Sequence, residues 1–151
     1  MKNAILFCSL LILFFQAQAF ASLGDSDASI QNDGKVSHTT HTLIETTQYK
    51  RHELSNPKVT IHEFSGASSG KVFAVAWRGS AHPDLKTLLG SYYPEFQASY
   101  VKAKAGHHHG GVLIVDSANL HIEMSGRMMA VNGQVWLTSQ IPSGMDLHEI
   151  K

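Results

Sequence analysis

Three sets of residues have the types and spacing from which chemistry is made. Gly66-Ala67-Ser68-Ser69-Gly70 fits the pattern G-x-S-x-G. In a nucleophile elbow, that serine sits on a strained turn after a strand and before a helix, beneath an oxyanion hole. Here an apolar strand pattern follows the motif, and Gly and Ser are what a hairpin loop selects. The loop reading is preferred, with a small serine hydrolase using Ser68 as an alternative. The second set is the histidines, ten in 151 residues, three of them consecutive at His107-His108-His109 between glycines. Neutral imidazoles bind zinc, copper and nickel, so a flexible tract can capture such ions weakly. A specific site needs ligands held in fixed geometry by further partners, which three neighbours in a glycine-flanked loop do not supply. A polar loop is preferred, with a metal-binding or metal-responsive role at His107, His108 and His109 as the alternative. His38 and His41 point to opposite faces if their segment is a strand.

The third set is Trp77, Arg78, His82 and Asp84, gathered at a Gly/Pro corner, with Tyr92 and Tyr93 just beyond. Trp, Tyr and Arg dominate interface hot spots, which makes these six the candidate partner- or ligand-binding residues. Most also have a structural reading: Trp77 as core, Asp84 at a helix start, Arg78 as its partner or capping a carbonyl, the tyrosines as packing with hydroxyls at the surface. His82-x-Asp84 lacks an activated nucleophile, and the 12 acidic residues are dispersed. No catalytic residue and no cofactor is assigned.

These residues are positioned by the stretch Gly70–Tyr93. Phe73, Val75 and Trp77 alternate with Val72, Ala74 and Ala76, so both faces of the strand are apolar, as in a central strand covered on both sides. The smaller Val/Ala face is expected to receive a helix. Pro83 suits a first helical position, Asp84 favours the positive end of the dipole, and Leu85, Leu88 and Leu89 form one stripe before Gly90. Pro94-Glu95 repeats this start for a second helix to about Ala105, with Phe96, Tyr100 and Ala103 inward and Gly106 as its stop.

Around this unit the sequence predicts strands. Val36–Tyr49 is rich in threonine and reads as a partly exposed strand. Asn56-Pro57 makes a turn, Lys58–Phe64 is a strand, and Gly66–Gly70 closes a hairpin onto the anchor strand. Val112–Val115 is a short apolar strand. Asn132-Gly133 reads as a type I′ hairpin turn, which would set Met129 opposite Trp136 and Ala130 opposite Val135. With Ser125-Gly126 as a further turn, Leu120, Ile122, Met124, Met129, Val131 and Trp136 form the expected core face, with Arg127 at its end. His121, Glu123, Ala130 and Val135 lie on the other face.

Residues 1–21 read as a cleaved export signal. Lys2 precedes an apolar stretch from Ala4 to Phe15, and both Ala17-Gln18-Ala19 and Ala19-Phe20-Ala21 fit the cleavage pattern. That apolar stretch is shorter than the roughly 20 residues a bilayer requires. Residues 22–35 are expected as a mobile arm, or as a short helix around Ala28–Asp33, and residues 36–151 as one domain. With 12 basic and 12 acidic residues, the chain carries no basic footprint for nucleic acid and no polybasic membrane patch. The single cysteine, Cys8, lies within the expected signal.

The run GKVFAVAWRGSAHPDLKTLLGSY resembles an uncharacterised family of small exported bacterial proteins, catalogued as domain of unknown function 2844. Further matches are Leu23-Gly24, the surroundings of Gly126-Arg127-Met128, Gly133, Pro142 and Gly144. Gly79-Ser80 stands where such proteins often have Gly-Pro. The resemblance implies an exported single domain and brings no catalytic residues with it. The resulting expectation is an α+β fold: an antiparallel sheet of five to seven strands, with two short helices inserted mid-chain and packed on one face. The expected function is a periplasmic or secreted accessory protein that binds an envelope protein or small ligand without catalysis, engages no nucleic acid and does not insert in a membrane after cleavage.

Overall fold

A computed structural model describes residues 22–30, 40–106 and 111–151; the expected signal and His107, His108 and His109 lie outside them. Seven strands form one antiparallel sheet: β1 (Thr40–Glu45), β2 (Tyr49–Ser55), β3 (Val59–Gly66), β4 (Val72–Gly79), β5 (Leu113–Asp116), β6 (Leu120–Arg127) and β7 (Ala130–Leu137). Their spatial order is β1-β2-β3-β4-β7-β6-β5, which makes β4 central. The helical stretch between β4 and β5 comprises α1 (Leu85–Leu89), a 3-10 turn (Gly90–Tyr92) and α2 (Tyr93–Gly106). The fold is mostly sheet and broadly α+β.

Every residue from Val72 to Trp77 is buried, as two apolar faces require. The helices cover the larger face, however. Val75 and Trp77 share a core with Leu88, Leu89 and Phe96, whereas Ala74 and Ala76 cluster with Phe64, Phe73 and Trp136. A bulge also exchanges Val72 and Phe73 between the two faces. Phe64 pairs with Ala74 and Ser65 with Val72, so Phe73 is an extra residue that shifts the phase of the alternation. Helix α1 starts at Asp84, whose carboxylate accepts from the Lys86 N–H at 3.1 Å and from the Thr87 hydroxyl. Gly90, with φ 50°, is the C-cap that ends α1, and a 3-10 turn leads from it directly into α2.

Two hairpins differ from the sequence expectation. The described part of Val36–Tyr49 is β1 turning into β2, because the Thr46 side chain closes the corner. Its hydroxyl donates to the Tyr49 carbonyl at 2.8 Å and accepts from the Tyr49 N–H at 3.0 Å. The larger correction is in β6–β7. Asn132 and Gly133 lie within β7, and the turn is Met128-Met129, between paired Arg127 and Ala130. Met129 is therefore 74% exposed with φ 62°, and Trp136 joins the opposite face, while Val135 takes the core position expected for Met129. Glycine at 133 has a packing role: a Cβ there would lie 2.2 Å from Trp77 Cζ2. No turn is needed to explain it.

The segment expected as a mobile arm is docked over residues 22–30. Leu23 and Ile30 are fully buried, and the Leu23 N–H donates to Leu88, that of Gly24 to Val72, and that of Asp27 to Gly70. It contains a 3-10 turn, Asp27–Ser29. On the far face, the chain after β7 lays Ile141, Met145 and Ile150 over Phe64, Phe73 and Trp136. This strap covers only part of that face.

Gly133→Ala is expected to lower stability by about 1–3 kcal/mol through overpacking against Trp77. Met129→Gly is expected to raise it by about 1 kcal/mol by relieving the left-handed backbone. Thermal or denaturant unfolding measures both. A hairpin turn at Asn132-Gly133 would instead bury Met129 on the core face, and Met129→Gly would lower stability.

Candidate functional site

Cross-strand pairing fixes what the strap leaves open. Paired residues share a face, so Thr60, Arg78, Asn132 and Ser125 form one row across β3, β4, β7 and β6. The neighbouring row is His62, Ala76, Gln134 and Glu123. The third, Phe64, Ala74, Trp136 and His121, runs beneath the strap. Ala76 is the small residue at the centre. Around it lies a cavity of about 750 Å³ bordered by both polar rows, by Val112 and Lys151, and by Trp77, Met124 and Gly133.

Its polar groups are largely fixed by one another. Glu123 accepts from Gln134 at 2.7 Å and meets His121 Nε2 at 3.1 Å, while His121 Nδ1 meets Asp116. The His121 ring stacks on Trp136 with centroids 4.1 Å apart. His62 contacts Glu53 through Nε2 and the Lys151 carbonyl through Nδ1. The Ser125 hydroxyl donates to Asn132 at 3.0 Å, and the Ser55 and Thr60 hydroxyls bond each other. Arg78 is exposed and has neither a hydrogen bond nor an ion pair among the described residues. Polar side chains fixed in this way form an ordered surface around the cavity.

The six residues expected at the corner do not form one surface. Trp77 and Arg78 border the groove, with Trp77 only 2% exposed and its indole N–H without a partner among the described residues. Asp84 does not pair with Arg78; it caps α1 and borders a separate cavity of about 210 Å³ beside Glu63 and Leu88. Tyr92 lies against Gly24, Tyr93 packs on Phe96, and His82 is exposed. Gly66–Gly70 is a hairpin turn, closed by the Gly66 N–H to Lys71 and the Gly70 N–H to Gly66. No hydrogen bond joins Ser68 to a histidine among the described residues. Among those residues, no three His, Cys, Asp or Glu side chains are placed to hold a metal ion.

Thr60, His62, Glu123, Ser125, Asn132 and Gln134 were not singled out by the sequence. Their signal was present: Thr60 alternates with Ile61, and His121, Glu123 and Ser125 alternate with buried Ile122 and Met124. Reading Asn132-Gly133 as a turn removed β7 from that pattern.

A second polar cluster lies on the helix-bearing side. His52 is buried beside Glu63 across the β2–β3 pair, and its Nδ1 is 3.0 Å from His41 Nε2. Burial lowers the His52 pKa below the ordinary 6.5, with His41 adding to the shift and Asp27 opposing it. The nearby Asp27 carboxylate accepts from Lys50 at 3.3 Å.

The family described as protein of unknown function (DUF2844) matches residues 19–150, and the chain belongs to it. No curated protein matches the chain, nor does any solved structure.

A buried histidine held neutral makes stability depend on pH with a definite sign. Below about 6.5 the unfolded chain binds the proton that folded His52 resists, so His52's contribution is intact above that pH and declines as pH falls. The melting temperature is expected to drop between pH 7.5 and 5.5, and to drop less in His52→Gln. Equal drops would remove His52 as a source of acid sensitivity.

Proposed function

We propose that this member of the DUF2844 family is an exported accessory protein that binds a partner or small ligand in the groove over Ala76, without catalysis. The observation that carries this reading is the groove: a cavity of about 750 Å³ on a sheet face whose other part is covered by the C-terminal strap. Pockets of roughly 300–1,000 Å³ with a few placed polar groups are the usual form of small-ligand sites. Lys2, the apolar Ala4–Phe15 stretch and the Ala-x-Ala patterns support export. Among the described residues no helix is long and apolar enough to cross a membrane.

Binding is favoured over catalysis by how the titratable groups are used. His121, Glu123 and His62 all engage neighbouring groups and orient one another. A general base needs a substrate proton within reach and a nucleophile to activate. The hydroxyls beside them, Ser125 and Thr60, bond Asn132 and Ser55 instead of a histidine.

A photoreactive residue at Val112, which borders the groove, is compared with one at exposed Gln97 on α2. Each variant is incubated with the native envelope fraction, illuminated and analysed by intact-mass spectrometry. A discrete adduct is expected from position 112 and none from 97, with the adduct lost in Asn132→Ala/Gln134→Ala. Adducts formed only at 97 would place recognition on the helix-bearing side.

A further inference from the structure

We propose that the groove recognises a carboxylate, anchored by the Arg78 guanidinium and the Asn132 side-chain amide. This rests on the binding reading above and names the ligand chemistry of the same site. The argument is an inventory of which hydrogen-bonding groups are already used. Both Glu123 oxygens are taken, one by His121 and one by Gln134. The Asn132 oxygen accepts from Ser125, which leaves its NH2 group unused among the described residues. Both His62 nitrogens are engaged. The groups left over on this face are donors: the exposed Arg78 guanidinium and the Asn132 NH2 group.

Arg78 and Asn132 are direct cross-strand partners between β4 and β7, so their side chains leave the same face side by side. Arginine presents a planar fork of donors that matches a carboxylate in a bidentate arrangement, and an adjacent amide N–H extends that plane. Charge favours a singly charged ligand. The groove's fixed cations are Arg78 and Lys151, and Glu123 stands one row away on the same face. The tightly bound phosphates of proteins instead sit on glycine-rich loops or helix N-termini, which present several backbone N–H groups at once. Here the backbone beneath the site is paired sheet, whose N–H groups are already used. With Arg78 exposed and unpaired, replacing it leaves no group without its partner.

The test uses two probes that differ only in charge, N-acetyl-alanine and its neutral amide, titrated into the chain from residue 22 to residue 151. Backbone amide shifts in two-dimensional NMR report where each binds. Saturable shifts at Ala76, Arg78, Asn132 and Gln134 are expected with the acid, at least tenfold weaker binding with the amide, and loss of the difference in Arg78→Gln. Asp84→Ala, at the other end of the corner, is expected to leave binding unchanged. If both probes bind the groove equally and Arg78→Gln has no effect, the carboxylate assignment is overturned while the groove reading stands. If neither probe shifts these amides, the assignment is likewise overturned, and the photocrosslinking result decides the groove reading separately. Inorganic phosphate binding more tightly than the acid would also overturn it, in favour of a phosphate-bearing ligand.

Discussion

The indole of Trp77 occupies the space in which any residue but glycine at 133 would place its Cβ. Most of the architecture depends on this contact between β4 and β7. It locks the central pair in register, with Trp77 opposite Gly133 and Val75 opposite Val135. Because side chains alternate, one fixed pair sets the face of every residue along both strands and, through the ladder, along β3 and β6. Val75, Trp77, Val135, Ile122 and Leu120 then meet the helices, and Ala76, Gln134 and Glu123 lie on the other side. A one-residue slip would place Gln134 in the core and Val135 in the groove.

The two faces are finished differently, and the difference is what creates a site. Leu88, Leu89 and Phe96 close one face, assisted by Leu23 and Ile30 from the N-terminal segment. On the other, the strap buries Phe64, Phe73 and Trp136 with Ile141, Met145 and Ile150, but it leaves the polar rows open. An open antiparallel face is normally a solvated surface. Here an alanine sits between His62 and Gln134, and the missing side-chain volume becomes a cavity. The hydrogen bonds among His121, Glu123 and Gln134 hold its wall in one arrangement, the preorganisation that the proposed binding role requires.

Much of the frame was legible in the sequence because local patterns determined it. Two apolar faces identified β4 as central, Gly66–Gly70 was the hairpin it looked like, and Asp84 began a helix, as its N-cap. Other features depended on partners distant in sequence. Glycine at 133 is explained only by Trp77, 56 positions earlier, and the local Asn-Gly pair points to a turn that the long-range contact overrides. The bulge at Phe73 likewise arises from pairing with β3, and it exchanges Val72 and Phe73 between the faces. The burial of Leu23 and Ile30 could not be read from a polar, serine-rich stretch. For the site, Trp77 and Arg78 were visible as candidates by residue type, but the polar rows beside Arg78 required the register.

The central claim is that β6 and β7 pair with Asn132 and Gly133 inside the strand, which builds both the Trp77 packing and the polar groove. Interstrand nuclear Overhauser effects test it directly. Cross-peaks joining Met124 to Gly133 and Ile122 to Val135 are predicted, together with contacts from the Trp77 ring to the Gly133 α-protons. Cross-peaks joining Met129 to Trp136 and Ala130 to Val135 would place the turn at Asn132-Gly133 and contradict the account.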